Sequence, residues 1–389
     1  MGLTAGIIGL PNVGKSTLFN AITKSKVLSA NYPFATIEPN VGIVEVKDKR
    51  LEKIVEIVKP RNVVYTSFSF TDIAGLVKGA SLGEGLGNQF LANIREVDAI
   101  CHVVRCFSDK DVIHVNGIVD PINDIETINL ELAFADIDVI EKRIPKIEKK
   151  AQLHVDKESE VEYKLLVKLK EALNQGTALR DATLTKEELE LIKNYNFLTL
   201  KPMIYVLNVD EDDIATDSEV VKRVKEYASS HNIETVKISA KIEEEILDLP
   251  EEDREMFLDE LGITESGLDQ LVKKSYDLLG LETFFTAGEK ECRAWTYKKG
   301  SKAPKCAGII HSDFERGFIR AEVISYNDFM EAGNYQKAKE AGKLRSEGKE
   351  YVFHDGDIVE FKFNVWWWYN EGFIISCWKR GFKWPCCKH

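Results

Sequence analysis

No stretch of this 389-residue chain is apolar for long enough to cross a bilayer. The N-terminal run GIIGLPNVGKS is too short for a span or a secretory leader and ends in a charged loop, so no membrane partner is expected. The seven cysteines (Cys101, Cys106, Cys292, Cys306, Cys377, Cys386, Cys387) include no C-x-x-C pair and are too few for a disulfide framework. A reducing, cytoplasmic setting is the simplest expectation. None of the seven histidines stands at H-E-x-x-H spacing, which disfavours a zinc hydrolase. A basic excess is also missing. The net charge is −12, and residues 282–365 are balanced, so the acid excess lies in the first 281. That argues against a broad electrostatic grip on nucleic acid there, while the near-neutral later part leaves room for local RNA contact.

What remains is an ordinary globular composition, 44% apolar and 30% charged, in a chain long enough for two or three domains. Apolar β-rich runs at 5–9, 63–72, 99–107, 203–208 and 235–240 alternate with helical stretches, which predicts an α/β unit with a mainly parallel sheet. A charged interruption over 136–198 carries Ile140, Ile144, Ile147 and Ala151, then Leu165, Leu169 and Ala172, at four- and three-residue spacings. Such a narrow seam predicts a coiled-coil-like helical hairpin, bent at Pro145, in preference to helices packed on the sheet. From Leu281 short β segments with Gly turns predict a small α+β domain. The expected organisation is therefore 1–135 with 199–281, an insertion at 136–198, and a C-terminal domain at 282–365. Residues 366–389, which hold all but one of the six tryptophans, match nothing before them and read as a non-native or disordered tail.

The chemistry begins at Gly9–Thr17. A strand, G-x-x-x-x-G-K-S and an amphipathic helix start form the context of a P-loop. Its glycines let the backbone wrap so that successive N–H groups face the β- and γ-phosphates, with the Lys15 ammonium on the same oxygens and the Ser16 hydroxyl on Mg²⁺. Asp72 closes a strand, with Gly75 three residues on, and would hold the metal's water shell; Thr36 in NYPFATIEPN would close on the same ion. Asn208-Val209-Asp210-Glu211 stands where a GTPase carries Asn-Lys-x-Asp, so the lysine is replaced by valine and the acid is one methylene longer. Both changes weaken guanine recognition. Ser239 and Ala240 then fit the last base-side loop. Where a Ras-like enzyme carries a water-orienting Gln after D-x-x-G, this chain has Leu76. His114 is the candidate base in its place, with packing in the apolar Val112–Val115 turn as the equal alternative. Asn12 either helps hold K⁺ beside the phosphates or simply forms a turn.

With NYPFATIEPNVG, DIAGLVKGASLGEGLGNQFL and DVIHVNGIVDP added, the chain resembles the YchF / Obg-like ATPase family, P-loop proteins of the TRAFAC class, over residues 1–365. The resemblance implies a G domain, an inserted helical hairpin and a β-grasp-like TGS domain. It also implies preference for ATP over GTP, association with ribosomes, phosphate binding by Asn12 to Thr17, Mg²⁺ on Ser16 and Thr36, and a base contact at Val209. The leading function is thus a slow, switch-like ATPase. The rivals are a GTPase of the same plan and a nucleotide-sensing ribosome or RNA adaptor. A lysine loop in the C-terminal domain, Lys298, Lys299, Lys302 and Lys305, is the candidate docking surface for phosphates, those of RNA included, with a merely solvated loop as the equal alternative.

Overall fold

The computed structural model describes residues 3–24, 40–73, 86–108, 119–153 and 156–364. In chain order its strands are β1 (Thr4–Ile8), β2 (Val41–Val46), β3 (Asn62–Val64), β4 (Thr66–Asp72), β5 (Ala99–Arg105), β6 (Met203–Asn208), β7 (Glu234–Ile238), β8 (Leu281–Ala287), β9 (Glu291–Lys298), β10 (Phe318–Ile324), β11 (Arg345–Glu347) and β12 (Ile358–Phe363). Its helices are α1 (Lys15–Lys24), α2 (Lys49–Val58), α3 (Leu86–Glu96), α4 (Pro121–Gln152), α5 (Lys157–Asn174), α6 (Lys186–Ile192), α7 (Glu219–Ser230), α8 (Ala240–Asp248), α9 (Glu251–Glu260), α10 (Gly267–Leu278), α11 (Ala303–Ile310), α12 (Ser312–Arg316), α13 (Tyr326–Ala332) and α14 (Tyr335–Glu340).

The first sheet runs β2-β4-β1-β5-β6-β7. All of its pairings are parallel except that of the edge strand β2. Every residue of β5 and β6 is buried, as expected of central strands covered by helices on both faces. Parallel strands direct their C-terminal ends to one edge, where the loops after β1, β4, β5, β6 and β7 gather. Among the described residues the nucleotide motifs Gly9–Thr17, Asp72, Asn208–Glu211 and Ser239–Ala240 lie at that edge.

The expected strand 63–72 is in fact two. β4 stays in the first sheet, whereas β3 pairs in parallel with β9 of a second sheet, ordered β11-β10-β12-β8-β9-β3. The α2 helix goes with β3, since Leu51 and Ile54 are buried among Phe285, Cys292, Ile324 and Phe329. Residues 49–64, assigned to the first unit by position in the chain, therefore complete the core of the second. At the junction the hydroxyls of Thr66 and Thr296 lie 2.5 Å apart, and Tyr276 bonds to Thr296 as well.

α4 also departs from its expected limits. Capped by Asp120 with Pro121 in its first turn, it begins fifteen residues before the expected insertion. Its first half buries Ile125, Ile128 and Leu132 in the main core. Its second half packs Ile140 and Ile147 against Leu165, Leu166 and Leu169 of α5, forming the antiparallel hairpin. Pro145 lies inside this helix without ending it. Between the two halves Asp136, fully buried, accepts hydrogen bonds from Leu198 N (2.8 Å), Thr199 N (2.8 Å) and the Thr199 hydroxyl (2.7 Å). Such a satisfied buried carboxylate fixes where the hairpin leaves and re-enters the body.

Candidate nucleotide site

β1 ends in the turn Gly9–Gly14, and α1 begins at Lys15. A Cβ at Gly9 would stand 2.6 Å from Val103 O, so only glycine lets the loop pass this close to β5. Asn12 is left-handed at φ 62°, a conformation that Asn tolerates, so the turn-forming reading has a geometric basis. Gly14 has φ 94°, and a side chain there would fall on the Asn208 amide. The first-turn N–H groups of α1 have no acceptor within the helix, and with the helix dipole they form an anion cradle.

Lys15 is buried, and its ammonium donates to Leu10 O at 2.5 Å. Burial lowers its pKa to about 8, against the opposing attraction of Asp72. Asp72, at the tip of β4, has its pKa raised by burial and pulled back by Lys15. Ser16 is exposed in the first turn of α1. Among the described residues no three acidic, His or Cys side chains cluster as a closed metal site. The donors present, one hydroxyl and one carboxylate, are hard oxygens that suit Mg²⁺ when phosphate and water complete its shell. Thr36, His114, Gly75 and Leu76 lie outside the described residues, as does the tail 366–389. His102, on β5, is fully buried against Tyr205 with its pKa pushed down to about 3 by burial, so it is a neutral packing residue.

On the base side one residue bonds to three other loops. Asn208 donates through Nδ2 to Val13 O at 2.9 Å and accepts through Oδ1 from Ala240 N at 3.0 Å. Its backbone carbonyl accepts from Cys106 N at 2.8 Å. Asn208 is buried, so it positions the P-loop and the loop after β7 rather than standing open to a base. Val209 is 3% exposed, its side chain in the main core and its N–H bonded to Ile238 O at 2.8 Å. A base contact at 209 must therefore come from the backbone. Ser239 is buried at the N-cap of α8, and Ala240 opens that helix. Glu211 starts a 3-10 turn and forms an ion pair with Lys241.

Three contributors are not legible in the sequence. Asp210 accepts from Ser108 N at 2.9 Å, tying the loop after β6 to that after β5. Arg105 is buried with its guanidinium 4.4 Å from the Phe107 ring. Lys241 stands inside ISAK with nothing local to mark its partner. The Asp210 and Lys241 contacts join loops distant in the chain, which no short pattern records. A separate cleft of about 630 Å³ between the two sheets is lined by Arg50, Tyr276 and Asp355. Arg50 in it is paired with Asp48 (2.8 Å) and Asp355 (2.7 Å), and it shares none of the nucleotide motifs.

Comparison with known proteins agrees with this geometry. Residues 4–209 match the family described as 50S ribosome-binding GTPase, and residues 281–364 the YchF-GTPase C-terminal family, described as a protein of unknown function. A Bacillus subtilis protein named ribosome-binding ATPase YchF is 61% identical, with 94% of this chain and all of that protein covered. Its Escherichia coli O157:H7 counterpart of the same name is 51% identical over the same shares. The solved structure of the Schizosaccharomyces pombe YchF GTPase superposes with a TM-score of 0.85 at 38% identity, covering 92% of this chain and 97% of that one.

The Lys15 environment makes nucleotide affinity pH-dependent with a definite sign. Bound phosphate favours the ammonium, so binding near and above pH 8 must take up a proton that the free protein has released. Affinity should be flat at neutral pH and fall toward tenfold per pH unit above about pH 8. Calorimetry in buffers of different ionisation enthalpy reads the uptake directly. Absence of proton uptake at about pH 8.5 would show that Lys15 stays charged in the free protein.

Proposed function

The chain belongs to the YchF family, and on that footing we propose that it is a slow, switch-like ATPase that converts ATP to ADP and phosphate and associates with ribosomes. The observation that carries the choice of ATP is Val209. Where a GTPase lays a lysine stem along guanine, this chain has a small side chain withdrawn into the core. A site so built lacks one of the few interactions on which base discrimination rests.

In this reading the N–H groups from Asn12 to Thr17 and the Lys15 ammonium hold the phosphates. Ser16, Thr36 and Asp72 supply the oxygens for Mg²⁺, which when bound neutralises charge on the phosphates. Asn208, Ser239 and Ala240 shape the base pocket, with the Val209 backbone and the Glu211 side chain at its rim. His114 accepts the proton of the attacking water, and K⁺ beside Asn12 is the candidate for offsetting transition-state charge. Side-by-side calorimetry should find ATP bound more tightly than GTP, and GTP binding at least as tight would overturn the reading. Turnover should be slow alone, higher with ribosomes, and higher in KCl than in NaCl. Replacing His114 with Ala should leave ATP affinity nearly intact and cut turnover by roughly 10²-fold.

The candidate ribosome contacts are also redistributed. Three of the four loop lysines of the C-terminal domain face acids: Lys299 with Glu282 (3.3 Å), Lys302 with Glu350, and Lys305 with Glu315 (4.0 Å). At the far end of the hairpin Lys146, Lys149, Lys150 and Lys157 form no close ion pair among the described residues, although Asp156 is near enough to feel the charge of Lys150. Leu153 is 74% exposed beside them. Elsewhere on the same hairpin cations are paired, as in Lys142–Asp138 (2.5 Å), Arg143–Glu162 (2.8 Å) and Lys170–Glu141 (2.8 Å). Cations not held by a close acid reach RNA phosphates at least cost, so the hairpin end is the stronger phosphate contact. Changing its four lysines to Gln should flatten the salt dependence of ribosome co-sedimentation by about 0.7–0.9 log units of slope for each phosphate left unneutralised. A larger effect from the same change at Lys298, Lys299, Lys302 and Lys305 would return the docking surface to the C-terminal domain.

A further inference from the structure

Lys241 lies in the first turn of α8, one residue after Ala240, whose N–H is held by Asn208. Its ammonium donates to Glu211 Oε1, thirty residues away in the chain and in the loop after β6. Glu211 is the only side chain of the Asn208–Glu211 motif that is both acidic and not already engaged by the backbone of a neighbouring loop. Asn208 is committed to Val13 and Ala240, Val209 is in the core, and Asp210 is committed to Ser108 N. Whatever acid reads the Watson–Crick edge of a base from this motif must therefore be Glu211, and Glu211 is occupied by Lys241.

The consequence differs for the two purines. Guanine presents two adjacent donors, N1–H and N2–H, which a free carboxylate accepts together. Adenine has no such pair of donors, and its N1 is an acceptor. A carboxylate engaged by an ammonium has one oxygen committed and is a weaker acceptor, so guanine must displace Lys241 before it is recognised. Adenine asks for no such displacement. We propose that Lys241 is a specificity-determining residue that withholds Glu211 from guanine and so adds to the preference for ATP that Val209 begins. This rests on the ATPase reading above.

Both side chains are partly exposed, 72% for Lys241 and 43% for Glu211, so the pair is weak and its removal is tolerable to the fold. Lys241→Met keeps the stem and removes the charge. GTP affinity should rise relative to ATP by roughly fivefold, the scale of an exposed charge pair. Adding Glu211→Ala to the Lys241→Met protein should abolish that gain, because no carboxylate is left to release. An unchanged ATP-to-GTP ratio in Lys241→Met, or equal losses for both nucleotides as expected if the stem only stacks on the base, would overturn the inference. The ratio in the unaltered protein tests the ATPase reading separately. Thermal melting of the nucleotide-free variants, expected to match the unaltered protein, keeps misfolding from imitating either result.

Discussion

The amide of Asn208 is the contact on which the nucleotide site depends. It is a short side chain at the end of a fully buried strand, and it holds the P-loop at Val13 O and the base-side loop at Ala240 N. Gly14 has no side chain because the amide occupies that space. The α1 and α8 helices then run together from the two clamped loops, with Lys24 and Glu244 2.8 Å apart at their exposed side. The P-loop and the base-side loop are thereby parts of one connected assembly. A buried amide satisfied on both sides suits this role, since removing either partner would leave a polar group unpaired in the core.

Two longer connections extend from that assembly. One is α4, which shares its apolar residues between the main core and the hairpin and is pinned at Asp136 where the two meet. The other is the segment between β2 and β4. It leaves the first sheet, supplies α2 and β3 to the second, and returns as the strand that ends in Asp72. The acid that would hold Mg²⁺ is thus the last residue of a strand that starts against the C-terminal domain. That acid thus has a covalent route into the C-terminal domain, while α3 meets the base of the hairpin through the hydrogen bond of Arg95 to Asn196 O (3.0 Å).

Much of the site was legible because its chemistry is local. G-x-x-x-x-G-K-S between a strand and a helix needs no tertiary information, and neither does an acid at the end of a β-rich run. The parallel strands of the first sheet were visible in their apolar runs. What escaped is what depends on neighbours distant in the chain. The VGIVEV alternation of β2 is an ordinary edge-strand pattern, and nothing in VVYTSFSFTD marks Tyr65 as the point where the chain changes sheets. The hairpin seam was visible in Ile140, Ile147, Leu165 and Leu169. Its helix starts earlier because Ile125, Ile128 and Leu132 continue the same period against a different partner. The lysine loop looked free of acid in sequence, yet its counter-ions arrive from Glu282, Glu315 and Glu350.

The bonds of Asn208 to Val13 O and Ala240 N give it the role of assembling the site. Titration of ATP and of GTP into an Asn208→Ala protein tests this most directly. Both affinities should fall by a similar factor, leaving their ratio close to that of the unaltered protein, because the P-loop and the base-side loop are released from their common anchor together. A large change in the ratio with one affinity preserved would contradict it and make Asn208 a reader of the base.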